Sequence, residues 1–151
     1  SAEQKVELPL WGTRFSGVID FLGEEDGELV VADHKSRALQ PRSRRQKPTK
    51  KDAELDRHLT QLYLYAEAVR QIYGRYPAKL CFNCFREPVL IEEPFDPKAM
   101  EKSMRWFLDS VECIAKEEEF RPDIEWFKCS YLCELRDECE YFAMSDRGRK
   151  S

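Results

Sequence analysis

Leu29-Val30-Val31-Ala32-Asp33-His34-Lys35 runs four apolar residues straight into an acid, a histidine and a lysine. A short continuous apolar run suits a central strand covered on both faces. Strand alternation then puts Asp33 and Lys35 on one face and His34 on the other. Upstream, Gly17-Val18-Ile19-Asp20 brings a second apolar segment to a second acid. Two carboxylates and a lysine therefore fall on neighbouring strands. Burying an acid is costly without a partner, so Asp33 and Lys35 are read either as an ion pair or as reactive chemistry.

Working outward, residues 5–21 alternate and turn as a hairpin, with Val6, Leu8 and Leu10 before a Trp11-Gly12 break and Phe15, Val18, Ile19 and Phe21 after it. Glu24-Glu25-Asp26-Gly27 reads as a tight polar hairpin turn. From Asp52 to Tyr73 the apolar spacing becomes three and four, which predicts a helix ended by Gly74. Lys79–Arg86 reads as a strand with Leu80, Phe82 and Cys84 on one face, and Val89-Leu90-Ile91 as another. Asp96-Pro97 predicts a helix start, with the helix running to Lys116. The expected fold is α/β, a small mixed central sheet flanked by helices.

A chain of 151 residues with 42% hydrophobic content is read as one packed domain, 1–151. It enters a strand pattern at once, with no leading helix, and reads as part of something longer. The formal net charge of −4 excludes indiscriminate nucleic-acid binding and leaves local charge to do such work. No apolar run reaches the length of a membrane span and no secretory signal opens the chain, so the expectation is a cytoplasmic protein without a membrane partner. Six cysteines without the dense spacing of a secreted scaffold suit buried thiols or metal ligands.

Two acids can hold a hard divalent cation while leaving sites for water and phosphate. Asp20 and Asp33 are the expected holders, Lys35 points at the same place, and His34 offers only its backbone carbonyl. Residues 36–51 form a basic, aperiodic segment expected to be a flexible loop. There Arg37, Arg42, Arg44, Arg45 and Lys47 are read either as a solvated linker or as DNA-phosphate contacts. Gln61 and Tyr65 lie four apart and share a helix face, whereas Tyr63 is expected to pack. His58, one turn before Gln61, is read either as a surface histidine or as a group approaching the site, and Glu7 either as an exposed strand carboxylate or as one facing the metal.

The ordered set Gly17-x-x-Asp20, Asp33-x-Lys35 and Gln61-x-x-x-Tyr65-Ala66 resembles the RecB-like branch of the PD-(D/E)xK nucleases, which takes in CRISPR-associated RecB-like exonucleases. The likeness covers residues 6–92. It implies a restriction-endonuclease-like core, Mg²⁺ or Mn²⁺ held by Asp20, Asp33 and the His34 carbonyl, and catalysis by Asp20, Asp33 and Lys35. It places Gln61 and Tyr65 beside the DNA backbone and the reacting phosphate. Implied too are DNA ends or single strands as substrate, exonucleolytic hydrolysis in recombination, repair or mobile-element settings, and a helicase or recombination partner. The alternatives are a non-catalytic DNA-binding module or a structural module of a helicase–nuclease assembly. The branch commonly takes a further residue from a helix before the first strand, and this chain opens on a strand instead.

The segment 120–142 carries Cys129, Cys133 and Cys139 among aromatic residues. By the same resemblance, three such cysteines and a fourth far upstream imply a [4Fe-4S] cluster. Here the first gap is one residue longer than usual and no cysteine precedes Asp20. Three thiols in an aromatic mini-core, or zinc, are the other readings. Cys81 and Cys84 are expected to project to opposite faces of a strand, which argues against a metal or redox pair, and Cys113 is expected in the core.

Overall fold

The computed structural model describes residues 2–36, 38–119 and 121–142. Five strands form one mixed sheet in chain order: β1 (Ala2–Leu10), β2 (Thr13–Glu25), β3 (Glu28–Lys35), β4 (Lys79–Cys84) and β5 (Val89–Pro94). β3 and β4 run parallel, joined by a crossover containing helix α1 (Lys50–Tyr73), and every other pairing is antiparallel. Helix α2 (Pro97–Lys116) follows β5. The fold is therefore α/β, as expected, with the helices packed on a small mixed sheet.

Local chemistry explains the boundaries. Trp11 and Gly12, both at positive φ, close a two-residue turn between Leu10 and Thr13, and Asp26-Gly27 does the same between Glu25 and Glu28. Two successive left-handed residues make the type I′ turn whose twist matches that of paired strands. β4 ends two residues earlier than the sequence pattern predicts, because the chain turns at Phe85 toward β5. Along the central strand Leu29, Val31, Ala32 and Asp33 are buried but Val30 is only half so.

Helix α1 begins at Lys50, before the expected Asp52. Thr49 and Asp52 form a reciprocal capping box, so the helix starts where its first amides find acceptors. Asp52 is buried and accepts from the backbone amides of Ser43 and Thr49, each at 2.6 Å, and from both of their hydroxyls. The core lies between α1 and the sheet, where Leu55, Leu59, Leu62, Ala66 and Val69 meet Val31, Leu80 and Phe82. Tyr63 packs as expected, its ring against Phe95 and its hydroxyl accepting from the Asp96 amide. The aromatic residues Trp11, Phe15 and Phe107 tie α2 to the first hairpin.

The segment before α1 is held down rather than free. Leu39 is buried, Ser43 binds Asp52, and Arg42 bridges Asp56 of α1 at 2.7 Å and Glu93 of β5 at 2.9 Å. The expectation of a flexible loop therefore gives way to one pinned at Leu39, Arg42 and Ser43. Residues up to Cys113 form one compact unit and a second begins at Ile114. The second holds a π-helical turn, Lys128–Leu132, where Tyr131 touches Trp126 and Phe127.

Candidate active site

The site lies at the carboxyl end of β3, where the chain leaves a parallel strand pair for its crossover helix. In α/β sheets that position collects ligands. The β2–β3 ladder stops at Phe21↔Ala32, so the next pair in that register is Asp20 opposite Asp33. There the Asp20 carboxylate takes over the ladder's task, its Oδ2 accepting the His34 backbone N–H at 2.8 Å. Asp20 also marks an irregularity in β2. Odd positions face inward through Ile19, but Leu22 is buried and Phe21 exposed. The β1–β2 pairing skips Asp20 opposite Glu3, whose φ is +28°. The change of phase turns Asp20 toward β3.

Asp33 is buried, and Lys35 Nζ stands 2.8 Å from its Oδ2. Apart from that ammonium, Oδ2 has no donor among the described residues, which leaves lone pairs open on a buried carboxylate, an arrangement disfavoured where the role is purely structural. Lys35 Nζ also rests 5.8 Å from the centre of the Phe82 ring, and His58 meets that ring edge-on at 6.2 Å. His58 is therefore half-buried one step from Lys35, closer in than a surface histidine. Phe82 as the floor under the lysine was not visible in the sequence, where it read only as one face of a strand with Leu80 and Cys84.

Gln61 and Tyr65 share a face of α1 as expected. The Gln61 amide donates to the Tyr65 hydroxyl oxygen at 3.2 Å. Tyr65 is buried against Phe15, and its ring comes so near Gly17 that a β-carbon there would lie 2.8 Å from Cε1. Gly17 thus makes room for Tyr65, the physical reason for a glycine three residues before Asp20.

Other candidates are not gathered. Arg42 has its charge taken up by Asp56 and Glu93, which withdraws it from the phosphate-contact set; Arg44, Arg45 and Lys47 are exposed without ion pairs among the described residues. Arg37 lies outside the described residues, as does Phe120 at the head of the cysteine-rich segment. Glu7 pairs with Arg14 on the exposed face of the hairpin. Cys129 and Cys139 are half-buried and Cys133 is exposed. No three Cys, His, Asp or Glu side chains converge as a metal set among the described residues. Cys113 is exposed rather than in the core. Cys81 and Cys84 are free, buried thiols, and burial pushes Cys81 up to about 11, which keeps it from acting as a thiolate.

Two acids and a lysine at a strand end, with an amide–phenol pair on the crossover helix, are parts that suit a phosphate-ester hydrolase with a divalent cation. A family profile described as the PD-(D/E)XK nuclease superfamily matches residues 2–140, and the chain belongs to that superfamily. Its nucleases usually use divalent metals such as Mg²⁺. Among solved structures, the crystal structure of SSO0001 is similar at 18% identity and a TM-score of 0.40, over 92% of this chain and 58% of that one. The chain thus spans less than two thirds of that protein's length. No curated protein matches the chain. Among the described residues no helix is long and apolar enough to cross a membrane.

The donor set fits a hard cation. Mg²⁺ asks for one or two carboxylates and keeps its remaining positions for water and phosphate. Asp33 Oδ2 offers unused lone pairs, and Asp20 retains a second oxygen beyond the one bound to His34.

Proposed function

We propose that this chain hydrolyses phosphodiester bonds of DNA, with Asp20, Asp33 and the His34 carbonyl holding Mg²⁺ or Mn²⁺. The observation that carries the reading is Asp33 Oδ2, buried beside the Lys35 ammonium with no further donor among the described residues. A divalent cation there supplies charge neutralisation at phosphorus and a lowered pKa for the attacking water. Lys35, held over Phe82 and against Asp33, keeps an ammonium where negative charge grows on the phosphoryl oxygens. The Tyr65 hydroxyl accepts from Gln61 and has no acceptor of its own among the described residues, so its proton is available to a substrate oxygen. Water is the nucleophile, and no covalent enzyme intermediate forms.

The finer reading is an exonuclease of recombination, repair or mobile-element type in the RecB-like branch, working with a helicase or recombination partner. Arg44, Arg45 and Lys47 supply backbone contacts. Six free cysteines support a reducing, cytoplasmic setting.

The test is digestion of end-labelled single- and double-stranded DNA with Mg²⁺ or Mn²⁺, beside Asp33→Ala and Lys35→Ala. Loss of at least about a hundredfold in rate is expected for each. Equal residual digestion by all three proteins would remove the enzymatic reading.

A further inference from the structure

Between α1 and α2 lies a groove that the catalytic reading does not use. One part is a cavity of about 750 Å³ lined by Thr60 and Tyr63 of α1, and Lys98, Lys102 and Trp106 of α2. A second part, about 630 Å³, shares Thr60, Lys102 and Trp106 and extends to Arg57 and Gln61. The groove therefore reaches Gln61, whose amide binds Tyr65. One turn earlier, His58 touches the Phe82 ring on which Lys35 rests. Gln61 is thus shared between the groove and the candidate site.

Its lining carries a small positive excess, Arg42, Arg57, Lys98 and Lys102 against Asp56, Glu93 and Asp96. Arg57, Lys98 and Lys102 have no carboxylate partner among the described residues, whereas two of the acids in its wall, Asp56 and Glu93, are already bound to Arg42. The Asp96 carboxylate caps the Lys98 amide. In a chain of net charge −4, three uncommitted cations along one groove form a local attraction for a polyanion. Trp106 stands among them with 56% of its surface exposed, although α2 buries Met100 and Ser103.

We infer that this groove seats a single DNA strand, with a base stacked on Trp106 and its phosphates on Arg57 and Lys102, feeding the strand toward Gln61. The inference rests on the DNA-cleaving reading above and adds the residues that recognise the strand. A paired base offers only its edges in the grooves of a duplex, so an indole platform flanked by cations selects unpaired bases. Lys98 extends the cationic wall away from the site, which gives the strand a direction of approach.

The probe is fluorescein-labelled oligothymidine against a blunt duplex of equal length, measured by anisotropy in EDTA so that no cleavage contributes. Trp106→Ala is expected to weaken oligothymidine binding by about tenfold or more while leaving duplex affinity within twofold. Trp106→Phe retains most of the affinity, because an aromatic face remains. Lys102→Ala lowers the salt dependence of single-strand binding by about one phosphate. Matching melting curves certify that each variant is folded. Unchanged oligothymidine affinity in folded Trp106→Ala, or an equal loss for duplex, overturns the groove whether or not the protein cuts DNA. Digestion that survives Asp33→Ala overturns the catalytic site instead, and the selective loss on Trp106→Ala would still establish the groove.

Discussion

At the scale of single residues, the site depends on side chains whose ordinary structural satisfactions have been withheld. Among the described residues, Asp33 keeps a buried oxygen with no donor beyond the Lys35 ammonium, and Tyr65 accepts a hydrogen bond without passing one on. Gly17 is the complement, a missing side chain that lets Tyr65 sit where it does. Replacing it, Gly17→Ala, puts a methyl 2.8 Å from the Tyr65 ring and 3.3 Å from Phe15 Cζ. Such overpacking costs about 1–3 kcal/mol, and the displaced ring should take cleavage down with it. Tyr65→Phe separates the two roles, since the ring stays and only the hydroxyl goes. Stability should change by no more than about 1 kcal/mol, while the rate with Mg²⁺ falls at least tenfold. A Tyr65→Phe protein with full activity would make this tyrosine a core residue and nothing more.

At the scale of elements, the helix α1 shows what a sequence discloses. Its body was legible because apolar residues recur at three and four, and its end because Gly74 follows. Its start was missed because the Thr49–Asp52 capping box that sets it lies outside the apolar repeat from which the boundary was read. The same holds for the site. Asp20, Asp33 and Lys35 announce themselves by closing apolar strands, whereas Arg42 looked like one more cation in a basic run until Asp56 and Glu93 came to it from two elements. Trp106 drew no reading from the sequence, since its exposure depends on what α2 packs against. The anchor at Asp52 has a pH signature. The amides of Ser43 and Thr49, and then their hydroxyls, hold its carboxyl well below the usual carboxylate range. A carboxyl depressed on folding contributes stability that is complete above its unfolded pKa of about 4. That contribution is lost as pH falls from there through the folded value. The melting temperature of Asp52→Asn should therefore lie below that of the wild type by a constant margin from pH 5 to 7, and the margin should narrow below about pH 4. A margin that does not vary down to pH 3 would show that the carboxylate's charge is irrelevant to the cap.

At the scale of the whole molecule, an acidic chain can handle DNA only by segregating its cations. Arg70 binds the buried Glu67, Arg42 binds Asp56 and Glu93, and Lys79 binds Glu25 and Glu92. These spend positive charge on holding the fold together. Arg44, Arg45 and Lys47 before α1, and Arg57, Lys98 and Lys102 in the groove, are left for a polyanion. Each phosphate neutralised on a single strand contributes about 0.7 to the slope of log affinity against log salt. The slope for oligothymidine should therefore be no steeper than about −4 if these six act together. Replacing Arg44, Arg45 and Lys47 with alanine should flatten it by about 2, with little change in preference for single strands, because base recognition lies with Trp106. Titrations at several salt concentrations decide this. A slope well beyond −4 would mean that cations now assigned to the fold leave their carboxylates for the strand, and Arg42, the one that bridges two elements beside the groove, would be the first to examine by Arg42→Ala.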